Sequence, residues 1–164
     1  MKKIILSVAV LALLFSGCKK KTDDPAPAKT TTENLTAHSW KISGAVSNVP
    51  IDADADKNVT TPNTTDLWNG GFYDACSKDN IFTFSANGTG TYADAGVPCG
   101  GAASTSFTWV LSGNALTITI GTAPNTFVQM ATIASIDDNT FKLALAQDTD
   151  DNNVSYIETD TFTK

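Results

Sequence analysis

Arginine is absent from the 164-residue sequence, and histidine occurs once, as His38. Arginine supplies most bidentate contacts to phosphate groups and base edges, and the formal net charge of −6 repels a polyanion. We therefore expect no nucleic acid among the partners. With one histidine and no Gly-x-Ser-x-Gly motif, the sequence offers neither a Ser-His-Asp arrangement nor a four-ligand zinc site.

Glutamate is also rare, because 15 of the 17 acidic residues are aspartate. The abundant aspartate, asparagine, threonine and glycine favour strands and turns over helices. Paired aspartates are conceivable for glycoside hydrolysis, but aspartate in turns is the ordinary explanation. We predict that the protein is not an enzyme and that it needs no cofactor.

The longest hydrophobic run in the sequence lies near the N-terminus, at residues 4–15. It is shorter than the ~20 apolar residues that span a bilayer. Lys2 and Lys3 precede it, and small residues follow, which is the layout of a secretory signal. The sequence "LFSGC" at residues 14–18 resembles a bacterial lipoprotein signal, which implies that Cys18 is acylated and becomes the mature N-terminus.

This resemblance predicts three parts: a signal peptide at residues 1–17, a lipidated N-terminus and flexible tether at 18–35, and one domain at 36–164. It implies an exported protein that its acyl chains, such as palmitate, anchor to the bacterial outer membrane. The sequence leaves open whether the domain faces the periplasm or the outside. We expect a monomer whose membrane contact is the N-terminal lipid.

Cysteine is scarce as well, since only Cys76 and Cys99 remain once Cys18 is assigned to lipid. In an exported chain, one remaining pair predicts a structural disulfide. A redox site needs a Cys-x-x-Cys motif or a neighbourhood that lowers the thiol pKa, and neither is present.

The Asn-Gly pair at residues 87–88 predicts a β-hairpin with a two-residue loop. In that register Phe84 faces Thr91 and Phe82 faces Ala93. The same register, extended to Cys76 and Cys99, places the two cysteines opposite each other at the far end of the hairpin. Their Cβ atoms would then lie close enough for a disulfide.

Beyond the tether, apolar residues alternate with polar ones in short segments separated by turns. One such segment, residues 38–46, places Trp40, Ile42 and Val46 on one face. The alternation predicts an all-β fold, an eight-stranded antiparallel up-and-down barrel, with a β-sandwich as the alternative. The predicted strands lie at residues 38–46, 80–86, 89–94, 104–111, 115–121, 125–136, 140–147 and 154–163.

Several of these segments together are similar to bacterial lipocalin-like lipoproteins. The matching stretches are "LTAHSWKISG", "CSKDNIFTFSANGTGTYADAG", "STSFTWVLSGNALTIT", "IASIDDNTFKLAL" and "YIETDTFTK", which lie between Leu35 and Lys164. The resemblance implies a lipocalin-like barrel more firmly than a function. His38 stands where lipocalins proper carry glycine, two residues before the tryptophan of the first strand.

A barrel of eight strands is either filled by side chains or holds one small ligand. We predict a non-catalytic protein that binds a small lipophilic molecule. The alternative is a solid-core adhesion, scaffold or glycan-binding module that acts through the long polar connection at residues 47–78. The candidate ligand-binding residues are Trp40, Phe82, Phe84, Phe107, Trp109, Leu67, Trp68 and Tyr73.

The same connection contains weak calcium candidates, because Asp52, Asp54 and Asp56 alternate as in the start of a calcium-binding loop. Such a loop requires glycine at its sixth position and glutamate at its twelfth, where this sequence has Lys57 and Asn63. We therefore predict no metal site.

Overall fold

The computed structural model describes residues 27–52, 63–147 and 154–164. Among these residues, no helix is long and apolar enough to cross a membrane. The elements in these described ranges are one short α-helix, nine strands and a single 3-10 turn at Ser77–Asp79. Their bounds are α1 Thr31–Ala37, β1 Ser39–Ile51, β2 Thr64–Asp66, β3 Ile81–Phe84, β4 Thr89–Ala93, β5 Ser104–Ser112, β6 Ala115–Thr122, β7 Asn125–Ile136, β8 Thr140–Gln147 and β9 Tyr156–Thr163.

Eight of the strands form a closed antiparallel barrel in the order β1-β3-β4-β5-β6-β7-β8-β9, with β9 pairing back onto β1. The ninth strand, β2, extends the same edge of β1 that β3 occupies. Each of the eight predicted strands is present, and the all-β barrel is confirmed over the sandwich. Closure leaves the long strand β1 paired on both edges, which removes an exposed sheet edge.

One face prediction for β1 is wrong, because a bulge interrupts the strand. Ile42 pairs with Phe162, whereas Gly44 pairs with Thr161, so one extra residue lies in β1 between these pairs. The extra residue reverses the alternation. Val46 is therefore exposed, although the sequence placed it on the inward face.

The predicted register of the β3–β4 hairpin is wrong by one residue. Phe84 pairs with Gly90 and Phe82 with Tyr92, rather than with Thr91 and Ala93. The loop has three residues and ends at Gly88, which has a φ of 81°. This geometry is the three-residue loop closed by a glycine bulge, which competes with the two-residue turn for Asn-Gly sequences.

The Cys76–Cys99 disulfide is confirmed, with its two Cα atoms 5.2 Å apart. It does not, however, close the ladder of the hairpin. Paired residues of that ladder end at Ile81 and Ala93, and both cysteines lie in the connections beyond it. The disulfide therefore joins the segment before β3 to the loop between β4 and β5.

The barrel is plugged at the end where β1 begins. Trp40 and Leu35 are both fully buried there, and the Trp40 indole Nε1–H donates to the Leu35 carbonyl over 2.9 Å. Leu35 belongs to α1, which begins with a capping box between Thr30 and Glu33. The sequence did not predict this helix, and its first residues fall in the predicted tether.

Thr64–Asp66 lead into a single turn between β2 and β3. These residues form β2, and the chain then turns so that the Gly70 amide donates to the Asp66 carbonyl. The Asp66 side chain caps this single turn, because its Oδ1 accepts from the Asn69 amide over 3.1 Å.

Candidate functional site

The interior of the barrel divides into a solid half and a hollow half. The solid half lies at the plugged end, where aromatic rings pack edge to face and in stacks. Phe141 touches Trp40 with ring centroids 4.9 Å apart and stacks on Phe162 at 4.3 Å. Phe84 packs edge to face on Trp109 at 5.8 Å. Rings at these distances fill the lumen, so a ligand has no room there.

The hollow half is a cavity of about 340 Å³, which we call the upper cavity. Its volume is at the small end of the ~300–1,000 Å³ range of ligand sites. Inward residues of the strands from β3 to β9 form its wall. The lining residues are Phe82, Tyr92, Phe107, Ile118, Ile120, Phe127, Gln129, Leu143, Leu145, Asp160 and Phe162.

One side of the upper cavity is an aromatic wall. Phe82 stacks on Tyr92 with centroids 5.4 Å apart, and it meets Phe162 edge to face at 5.5 Å. Phe127 stands at the rim with 58% of its surface exposed. An exposed aromatic ring beside an apolar cavity offers a lipophilic molecule its first contact.

A buried carboxyl pair on β9, Glu158 and Asp160, lies at the wall of the upper cavity, and only 3% and 7% of these residues are exposed. The Tyr73 hydroxyl lies 2.6 Å from Glu158 Oε1 and 3.0 Å from Asp160 Oδ1. Gln147 donates its amide to Glu158 Oε2 over 2.6 Å. Of the two carboxyls, Asp160 is the one that lines the cavity.

Burial and the neighbouring charge of Glu158 raise the pKa of Asp160 to about 7, although the hydrogen bond from Tyr73 lowers it. Burial and the charge of Asp160 also raise the pKa of Tyr73, so its phenol stays protonated and donates. The carboxyl with this raised pKa thus lies in a chamber whose other lining residues are apolar except for Gln129 and the Tyr92 hydroxyl.

The alternation of β9 places both carboxyls inside. Tyr156, Glu158, Asp160 and Phe162 share the buried face of this strand, which makes a period-two pattern. The alternation of apolar residues alone does not reveal the pair. The same period, applied to "YIETDTF" outward from Phe162, would have found it.

Tyr73 reaches the pair from the connection between β2 and β3, and the barrel holds this segment closely. Leu67 is fully buried, and the Trp68 amide donates to the Ala45 carbonyl over 3.1 Å. Trp68 packs on Tyr73 with centroids 5.7 Å apart, and the Lys78 ammonium lies 5.0 Å from the Trp68 ring. The connection is thus a packed part of the site.

The predicted ligand-binding residues fall into three groups. Phe82 and Phe107 line the upper cavity, and Tyr73 binds its carboxyl pair. The structure places the others elsewhere, and their contact with a ligand stays a prediction. Trp40, Phe84 and Trp109 lie in the solid half, and Leu67 and Trp68 pack where the connection meets β1.

The predicted metal and lipid residues are only partly visible. Asp52 is buried at the end of β1, whereas Asp54, Asp56 and Cys18 lie outside the described residues. Within the described part of the chain, the one cluster of possible metal ligands contains Asp74 and the two cysteine sulfurs. Those sulfurs are bonded to each other, so they are not thiolate ligands.

A second depression, of about 450 Å³, lies on the outer face of β4, β5 and β6. Threonine and serine hydroxyls line most of it, including Thr89, Thr108 and Thr119. No charged or amide side chain takes part in this lining. It lacks the apolar walls and the convergent polar group that distinguish the upper cavity as the candidate site.

The sequence matches the model of a lipocalin-like domain family over residues 36–143. That span runs from α1 into β8, and it contains Phe82 and Tyr92 of the aromatic wall but neither Phe162 nor the carboxyl pair. No curated protein matches the chain by sequence.

Proposed function

On the premise that the chain belongs to the lipocalin-like domain family, we propose that it binds a small lipophilic molecule in the upper cavity and does not catalyse a reaction. The barrel is a fold suited to small ligands. The observation that carries the proposal is a cavity of about 340 Å³, walled by aromatic and aliphatic side chains above a solid core. Ligand sites are typically such apolar chambers with few polar groups.

The alternative of an adhesion or glycan-binding module acting through residues 47–78 has less support. Such a module would present its apolar side chains to solvent. In the described part of this connection, Leu67 is fully buried and Trp68 and Tyr73 pack against the barrel. Phe72 is the one large apolar side chain there that stays substantially exposed, at 44%.

Filling the upper cavity tests the ligand-binding proposal. The Ile120→Trp variant places a large ring in the cavity and is expected to abolish uptake of a neutral lipophilic dye, followed by fluorescence, with thermal unfolding as a folding control. The Val110→Trp variant adds the same ring to an outward position that is 66% exposed, so it should take up dye like the wild type. Equal uptake by both variants would count against the proposal.

We also propose that the protein is a lipoprotein, acylated at Cys18 and held on the outer membrane. The support is the hydrophobic run followed by "LFSGC" at residues 14–18. Metabolic labelling with a palmitate analogue tests it: the wild type should carry label and sediment with outer membranes, whereas Cys18→Ala should carry none. Label that persists in the variant contradicts the assignment.

A further inference from the structure

The carboxyl pair in the upper cavity has no cationic partner in the part of the chain that the structure describes. The ion pair in the described part of the chain joins Lys29 to Asp138, and both residues are exposed and lie outside the cavity lining. The cross-strand neighbours of Asp160 are Ala45 and Leu143, and both are apolar. Charge buried in apolar surroundings is costly unless it is paired, so a cation in the cavity would stabilise the ionised form of the pair.

Hydrogen bonding within the protein satisfies the two carboxyls unequally. Glu158 has a close partner on each oxygen, since Tyr73 lies on one and Gln147 on the other. Among the described residues, the donor to ionised Asp160 is the Tyr73 hydroxyl, whose single proton it shares with Glu158, and protonated Asp160 hydrogen-bonds to Glu158. Asp160 is also the carboxyl that lines the cavity. Its remaining acceptor lone pairs are therefore available to a ligand in that space.

We propose that the upper cavity selects lipophilic molecules that carry a protonated amine, with the amine on Asp160 and the apolar body against Phe82, Phe107 and Leu143. This inference rests on the proposed function, because it names the ligand class of the same cavity. An ammonium group supplies both the missing charge and up to three hydrogen-bond donors. A carboxylate ligand would face a like charge in the same place.

The pH dependence of binding follows from the groups that face Asp160. They are Glu158 on the same strand and Tyr73 from the connection, and Tyr92 lies in the wall of the same cavity; β1 and β8 place apolar residues beside it. The pKa of Asp160 is raised to about 7. An aliphatic amine stays protonated through this range, so its affinity should increase as the pH rises from 6 to 8 and Asp160 ionises.

Three ligands with one chain and different head groups test the inference. Decylamine, decanol and decanoate are titrated into the purified protein by calorimetry at pH 6 and pH 8, below their aggregation concentrations. At pH 8, decylamine is expected to bind about tenfold or more tightly than decanol, as for a hydrogen bond to a charged group. Decanoate is expected to bind more weakly than decanol.

Two variants separate a specific contact from general attraction to an acidic protein. Asp160→Asn is expected to lose the preference for decylamine and its pH dependence while still binding decanol. Asp138→Asn removes the same charge from an exposed position, and it should keep the wild-type preference. Glu158→Gln removes the like charge that raises the pKa of Asp160, so the increase in decylamine affinity should move to lower pH while decanol still binds.

The outcomes distinguish the two proposals. If decanol and decylamine bind equally well at both pH values, the amine inference is overturned and the lipophilic cavity stands. If none of the three ligands binds to the wild type, the proposed function itself fails. A preference for decylamine that Asp138→Asn reduces as much as Asp160→Asn would show surface attraction and overturn the inference.

Discussion

At the scale of single residues, the most unusual feature of this barrel is Asp160, a carboxyl group in a chamber built from aromatic and aliphatic side chains. Burial penalises its charged form, and Glu158 adds a like charge on the same face of β9. Folding therefore makes the group more basic, which links the stability of the protein to pH.

Asp160→Asn is expected to stabilise the protein at pH 8, and much less at pH 5. Because the pKa of Asp160 rises from 3.8 to about 7 on folding, the folded state binds a proton that the unfolded chain releases. The contribution of Asp160 to the free energy of unfolding thus falls as the pH rises from about 4 to 7 and is constant above. Asparagine does not titrate, so the variant avoids this loss of unfolding free energy. The shift in pKa corresponds to a loss on the order of a few kcal/mol.

Urea unfolding of the wild type and the variant at several pH values measures this difference. Asp138→Asn is the control, because Lys29 lowers the pKa of that exposed carboxyl, the opposite direction. It should therefore give no stabilisation at pH 8. Curves for wild type and Asp160→Asn that run parallel between pH 5 and pH 8 would contradict the predicted role of burial.

At the scale of elements, the β3–β4 hairpin depends on a close approach between neighbouring strands. Gly90 on β4 faces Phe107 on β5, and the Phe107 ring lies over the glycine. A Cβ atom at this position would come within 2.3 Å of two ring carbons and 2.6 Å of the Thr83 carbonyl oxygen. The missing side chain thus provides room for an aromatic ring that lines the upper cavity.

Gly90→Ala is therefore expected to lower the free energy of unfolding by about 1–3 kcal/mol or more, as overpacking does. Gly101→Ala is the matched control, since a Cβ there meets nothing within 4 Å. Its effect should stay within about 0.5 kcal/mol. Chemical unfolding of both variants measures the difference, and equal stability would show that the ring moves aside without cost.

At the scale of the whole molecule, the sequence predicted the architecture better than the details of pairing. Alternation with a period of two located all eight barrel strands, because each strand buries one face. It failed at the β1 bulge, where one extra residue turns Val46 outward, and at the hairpin, where Asn-Gly fits two loop lengths. Both failures concern one residue of register, because the hydrophobic pattern alone fixes neither the place of a bulge nor the length of a hairpin loop.

The sequence predicted the aromatic residues of the candidate site but not its carboxyl pair. Phe82 and Phe107 were predicted correctly because large apolar side chains at alternating strand positions indicate the buried face of a strand. The carboxyl pair was missed because charged residues on a strand ordinarily face solvent, and here Tyr73 and Gln147 compensate their burial. Tyr73 is 85 residues from Glu158 in the sequence, so no local pattern connects them. The disulfide pairing was correct, but the ladder that was expected to align it ends earlier.

The closure of the barrel by β1 and β9 also has a consequence for biosynthesis. The first and last strands are neighbours, with residues such as Ala45 and Asp160 paired across the seam. While the chain is being made, one edge of β1 has no partner until β9 has left the ribosome. An unpaired edge invites association with other chains. The late arrival of β9 also means that the acidic lining of the cavity is the last part of its wall to be assembled.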